Sequence, residues 1–160
     1  MIQAITETDL IVYVQTEDNR IDTSVASANI RHLFKFTNDM DRSIQYAYGF
    51  TENIYNRYTI LEFDYSPSPD VYLGRVNFLP AGYWKYEVYE VSWGEDVALV
   101  SGLAPKNEND VLTPPSSSKG VVQGLVTKGK MYVSEKSGTE QVQYTQHPEA
   151  AGTNYIYYGQ

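Results

Sequence analysis

Apolar and polar residues alternate with a period of two along much of the chain, a pattern typical of half-buried β-strands. The alternation is clearest over residues 30–37 and 43–50, which flank the turn sequence Asn38-Asp39-Met40-Asp41. These two runs predict a β-hairpin. Further strands are predicted at residues 10–14, 57–65, 71–79, 83–91 and 97–100, and in short pieces at 121–122, 125–126 and 131–133, with Gly120, Gly124 and Gly129 as strand breaks.

No stretch has an apolar period of 3.6 residues over more than two turns, so we expect little helix. Short strands separated by turn sequences favour an all-β fold, an immunoglobulin-like β-sandwich with a small β-barrel as the alternative. We expect an N-terminal strand and linker at residues 1–29, the sandwich domain at 30–134 and an extended C-terminal arm at 135–160. The polar stretch 105–119 is long for a loop in a compact domain and is expected to be functional or mobile.

Tyrosine is the unusual component of the sequence, with 15 copies among 160 residues. Its apolar ring and polar hydroxyl suit both strands and protein interfaces. Trp84 and Tyr86 alternate in step with Val88, which favours core packing for that face of the strand. The candidate contact residues lie on the other face, in the following turn and near the C-terminus: Tyr83, Tyr89, Trp93, Tyr155, Tyr157 and Tyr158.

The formal net charge of −8 argues against nucleic-acid binding and against adsorption to anionic membranes, since both depend on clustered Lys and Arg. The sequence contains no cysteine, which excludes disulfides and thiol chemistry. No apolar run approaches the ~20 residues of a membrane span, and the N-terminus lacks a basic signal-peptide region. We therefore expect a soluble protein that is made in a cytosol.

The residues that could carry chemistry are scattered. His32 and His147 lack neighbouring ligands, and no serine lies in a nucleophile motif. Glu87 and Glu90 would point to opposite faces of a regular strand, which disfavours a carboxylate pair of the glycosidase type. The segment 107–110 is better explained as a capped turn than as a calcium loop. We expect no catalytic residue, no cofactor and no dedicated metal site, and leave a weak cation site open.

Two resemblances to known families add to this picture. The segment Leu79–Val88 resembles the turn and penultimate strand of immunoglobulin-like domains, in which a Leu precedes a Gly turn and an aromatic-x-aromatic-x-Val strand follows. Four segments resemble small virion proteins of tailed bacteriophages: Phe36-Thr37-Asn38-Asp39-Met40, Asn56-Arg57-Tyr58-Thr59, residues 84–90 and residues 125–133. The second resemblance implies a structural subunit of the head, neck or tail and carries over no site residues.

Two functions follow as expectations. The first is a non-enzymatic virion structural protein, made in the host cytoplasm, that contacts copies of itself and other virion proteins. The contacts would come from a β-strand edge and from the tyrosine-rich arm, with main-chain pairing and buried side chains both contributing. The alternative is a glycan-binding module of a receptor-binding or fibre assembly, in which Tyr83, Tyr89 or Trp93 stacks on sugar rings.

Overall fold

Two β-sheets pack face to face in the computed structural model, which describes residues 1–137. Two single turns of 3₁₀ helix, Glu17–Asn19 and Ser27–Asn29, are the only helical segments of this part of the chain. The prediction of an all-β sandwich is confirmed. The strands are β1 (Ile2–Ile5), β2 (Leu10–Val14), β3 (Ile30–Asn38), β4 (Ile44–Tyr48), β5 (Thr51–Ile54), β6 (Thr59–Tyr65), β7 (Arg75–Val76), β8 (Gly82–Ser92) and β9 (Val121–Ser134).

The larger sheet has the strand order β1-β9-β8-β3-β4, and the smaller has the order β2-β6-β5 with β7 attached to the end of β6. Strand β1 runs parallel to β9, whereas β3-β4 and β8-β9 are antiparallel pairs. This arrangement corresponds to an immunoglobulin-type sandwich. In the lettering of immunoglobulin domains, β2, β6 and β5 are strands B, E and D, and β9, β8, β3 and β4 are strands G, F, C and C′.

The N-terminal segment is part of this sandwich, which corrects the expected domain start at residue 30. Residues 2–5 pair with β9, and residues 10–14 pair with β6. Ala4, Leu10 and Val12 are buried in the core between the sheets. The first strand has only four residues, which is too short for an alternating pattern to predict it.

The main core lies between the sheets and is rich in aromatic rings. Phe36 packs edge-on against Phe63 and Phe78, with ring centroids 5.6 and 4.9 Å apart. Trp84 is fully buried beside Phe78, and its indole N–H donates to the carbonyl of Pro80 at 3.1 Å. The predicted core role of Trp84 is therefore confirmed.

A second core covers part of the outer surface of the larger sheet. Here the irregular segment 93–120 folds back over a buried cluster that contains Leu33, Tyr48 and Trp93. The Tyr48 hydroxyl donates to the carbonyl of Pro105 at 2.7 Å. The strand predicted at residues 97–100 is wrong, because Val97 and Leu99 pack on this cluster from irregular chain.

Strand β9 is continuous over 14 residues, so the strand breaks predicted at its glycines are also wrong. Gly124 adopts a φ of 155° beside an irregularity in the pairing with β8. Gly129 lies directly opposite Tyr86, and a Cβ atom built there would be 2.5 Å from the Tyr86 hydroxyl. Both glycines therefore fit within the sheet instead of ending it.

The close approach of Tyr86 to Gly129 gives a testable result. Gly129→Ala is expected to lower the free energy of unfolding by about 1–3 kcal/mol, since the new methyl group displaces the Tyr86 ring. The same substitution in a Tyr86→Ala background is expected to have little effect. Urea unfolding of the four proteins measures both costs, and an equal cost in the two backgrounds would contradict this interpretation.

Candidate functional site: two exposed tyrosine faces

Among residues 1–137, no group of three His, Asp or Glu side chains is placed to hold a metal ion. Glu87 and Glu90 lie on opposite sides of the larger sheet, as predicted. The buried Glu90 carboxylate accepts the backbone amides of Ile21 at 3.0 Å and Asp22 at 2.7 Å, so it holds a loop in place.

The segment 107–110 forms the predicted capped turn. The backbone amide of Asn109 donates to the Asn107 side chain, and the amide of Lys106 donates to the Asp110 carboxylate, both at 2.9 Å. Glu108 lies within this turn, and its carboxylate contacts residues of the larger sheet. Its Oε1 atom is 2.6 Å from the Lys35 ammonium, and its Oε2 atom accepts the Tyr46 hydroxyl at 2.6 Å. Glu108 therefore clamps the segment 93–120 to the larger sheet.

The electrostatics of this clamp define the pH range in which it acts. Burial raises the pKa of Glu108, but the hydrogen bonds from Lys35 and Tyr46 outweigh burial and leave that pKa below its ordinary value of 4.5. The hydrogen bond with Glu108 raises the pKa of Lys35 above its ordinary value. Burial, followed by the bond to Glu108, raises the pKa of Tyr46 to about 12.

A carboxyl group whose pKa is lowered by folding stabilises the folded state at pH values above its pKa in the unfolded chain. This stabilisation is lost as the pH falls through the pKa in the folded protein. We therefore expect the segment 93–120 to loosen in acid below about pH 4.5. Glu108→Ala is expected to loosen it at neutral pH, at a cost of about 1–3 kcal/mol. Amide hydrogen exchange of residues 103–110 measures both effects; unchanged protection in the variant would contradict the clamp.

The end of the larger sheet's outer surface near Tyr83 and Tyr132 is open. There, β8 and β9 present alternate side chains outward, and the register places Lys85 opposite Lys130 and Tyr83 opposite Tyr132. The two tyrosine rings lie with centroids 5.0 Å apart and planes tilted by 56°. We call this surface the lysine face; its residues are Tyr83, Lys85, Lys128, Lys130 and Tyr132.

The lysine face groups three lysines in an acidic protein, and Glu87 lies opposite Lys128 across β8 and β9. Lys85 contacts the Asp39 carboxylate at 3.2 Å, whereas Lys128 and Lys130 form no salt bridge within the described part of the chain. Like charges placed directly opposite each other across two strands are destabilising. A shallow groove of about 490 Å³ runs between these lysines, and Thr37 and Glu87 also line it. The surface is therefore suited to an anionic partner.

The outer surface of the smaller sheet carries a second aromatic cluster. Tyr13 is 65% exposed, and its ring centroid lies 6.1 Å from that of Tyr58, which in turn lies 5.2 Å from that of Tyr55. We call this surface the tyrosine face; its residues are Ile11, Tyr13, Tyr55, Tyr58, Ile60, Glu62 and Asp64. The register places Ile11 beside Glu62 and Tyr13 beside Ile60.

The predicted contact residues occupy different environments in the structure. Tyr83 is 56% exposed on the lysine face, and Tyr89 is half-buried against the second core. Trp93 is unavailable to a partner, because its side chain is fully buried and donates to the carbonyl of Leu103 at 3.1 Å. This corrects its assignment to a contact surface. Tyr155, Tyr157 and Tyr158 lie outside the described residues.

The fold and its surfaces thus define an all-β sandwich with two exposed tyrosine-containing faces. No protein-family model, curated protein or solved structure matches the chain. Among residues 1–137, no helix has the length and apolar character required to cross a membrane.

Proposed function

We propose that the protein is a non-enzymatic structural component of a tailed-bacteriophage virion, made in the host cytoplasm and assembled in many copies in the head, neck or tail. The phage assignment rests on the segments that resemble small virion proteins. The assembly role rests chiefly on one observation, which is the edge strand β2. Copies of the same chain and other virion proteins are the proposed partners.

Strand β2 pairs only with β6 within the described residues, so its other edge presents unpaired backbone groups. Its sequence, Leu10-Ile11-Val12-Tyr13-Val14, is apolar throughout and contains no Pro, charge or bulge. Sheet proteins ordinarily protect an edge with one of these devices, because an open edge is a template for pairing with another chain. An unprotected apolar edge therefore supports strand addition from a partner.

The C-terminal arm is the proposed donor of such contacts. Residues 138–160 number 23, so at full extension of about 3.3 Å per residue they can reach at most about 75 Å from Ser137. That reach exceeds the dimensions of one small domain. Tyr155, Tyr157 and Tyr158 supply the aromatic side chains that dominate binding at protein interfaces.

Light scattering of the full-length chain tests this proposal. We expect the wild-type chain to form multimers, and expect both Tyr155→Ser/Tyr157→Ser/Tyr158→Ser and Ile11→Lys to reduce the mass. Ile11 is 55% exposed, so lysine there leaves the core intact and places a charge at the edge. Val111→Lys, at a position 78% exposed in the segment 93–120, is the matched control. A monomeric wild-type chain would contradict the proposal.

The alternative, a glycan-binding module, has less support. Trp93 is buried, and the exposed Tyr83–Tyr132 pair is tilted by 56° instead of forming a flat platform for a sugar ring. A glycan array with the monomeric variants distinguishes the two functions. Specific binding that is lost on Tyr83→Ala would favour the glycan-binding module.

A further inference from the structure

We propose that copies of this chain stack head to tail, with the lysine face of one copy on the tyrosine face of the next. The inference rests on the proposed self-assembly and adds the surfaces that carry it. It commits to a second copy of the chain as the occupant of both faces. Three properties of the described residues support it, namely the placement, the charge and the aromatic content of the two faces.

The two faces lie on opposite sides of the sandwich. One is the outer surface of the larger sheet, and the other is the outer surface of the smaller sheet. The outer surfaces of two packed sheets point in opposite directions. One copy can therefore contact a neighbour through each face at the same time. Such a heterologous contact repeats from copy to copy and produces a ring or a filament.

The lysine face has three lysines against Asp39 and Glu87, and the tyrosine face carries Glu62 and Asp64, with Arg75 opposite Asp64. Lys128 and Lys130 have no carboxylate partner within residues 1–137, and Glu62 and Asp64 on the tyrosine face form no salt bridge there. Carboxylates of a neighbouring copy would also relieve the repulsion between Lys85 and Lys130. Complementary charge at an interface fixes orientation and disfavours the wrong pairing of faces. It thus favours lysine face on tyrosine face over like face on like face.

The aromatic residues provide the apolar part of the contact. Tyr83 and Tyr132 stand beside the lysines of one face, and Tyr13, Tyr55 and Tyr58 are exposed on the other. Tyrosine is enriched at protein–protein interfaces, because its ring contributes apolar contact surface while its hydroxyl remains compatible with water. Surrounding lysines and carboxylates would form the polar rim of such an interface.

Two charge-reversed variants of the full-length chain test the stacking. Lys128→Glu/Lys130→Glu makes both faces acidic, and Glu62→Lys/Asp64→Lys makes both faces basic. Each variant alone is expected to self-associate at least about tenfold more weakly than the wild-type chain, because like charges then meet across the contact. An equimolar mixture is expected to regain multimers, since the reversed lysine face of one variant fits the reversed tyrosine face of the other.

The control is Asp18→Lys/Asp96→Lys, which changes the net charge as much as the second variant at exposed positions outside both faces. Sedimentation velocity in low and in high salt measures the masses. Recovery in the mixture also shows that both variants are folded. A multimeric wild-type chain whose mass neither pair of reversals alters would overturn the stacking and leave the proposed assembly standing. A wild-type chain that is monomeric under all conditions would overturn both.

Discussion

Trp93→Ala is expected to lower the free energy of unfolding by about 3–5 kcal/mol, the range found for truncation of a buried aromatic side chain. Trp93 is fully buried, and its indole ring lies against Gly120, where a Cβ atom would approach it to 2.6 Å. The indole N–H donates to the carbonyl of Leu103 at 3.1 Å. Removal of the ring therefore leaves a cavity at the point where the segment 93–120 crosses the sheet, and the Leu103 carbonyl retains the Gly120 amide as a donor.

The expected effect has a local signature. Urea unfolding measures the total cost, and amide hydrogen exchange locates it. The amides of Ala104 and Gly120 donate to carbonyls within this segment, at 3.0 and 2.8 Å. They should lose protection in Trp93→Ala well before global unfolding. Trp84→Ala, which empties the main core, is the matched comparison and should cost as much without selective loosening. A cost below about 1 kcal/mol for Trp93→Ala would mean that the second core does not hold the segment.

The strands of the main sandwich could be predicted because one face of each is apolar. In β3, Ile30, Phe34 and Phe36 alternate with more polar residues, and this pattern gave both the strand and the face that enters the core. The second core gives no comparable signal. Leu33 and Val91 lie on the face that the alternating pattern predicts to be polar. The segment 93–120, which packs over them, is irregular and has no hydrophobic periodicity.

The candidate site could be predicted only in part. Tyr83 was found because its strand alternates clearly. The tyrosine face was missed because β2 is apolar at all five positions, so that no pattern distinguishes the exposed Ile11 and Tyr13 from their buried neighbours. Whether that strand lies at an edge depends on which strands pair, and pairing between residues 10–14 and 59–63 is a long-range property that local sequence does not encode.

The most consequential contact that the sequence did not predict joins His32 to Glu52. The Nδ1 atom of His32 lies 2.6 Å from Oε1 of Glu52, and both side chains are almost fully buried. The backbone amide of His32 also donates to Oε2 at 3.2 Å. His32 is on β3 of the larger sheet and Glu52 is on β5 of the smaller one, so the pair joins the two sheets through hydrogen bonds.

Glu52→Ala is therefore expected to cost about 3–5 kcal/mol, because it leaves His32 buried without its partner. The double variant His32→Leu/Glu52→Leu is expected to recover part of that loss, since a buried polar pair of side chains can be replaced by apolar residues of similar volume at little cost, whereas the backbone amide of His32 still lacks its acceptor. Urea unfolding of these variants and of His32→Leu decides the matter. If the double variant is as unstable as Glu52→Ala, the pair itself holds the sheets in register. If the double variant regains stability, apolar side chains at positions 32 and 52 are enough for the sandwich. The loss in Glu52→Ala then comes from the unpaired His32.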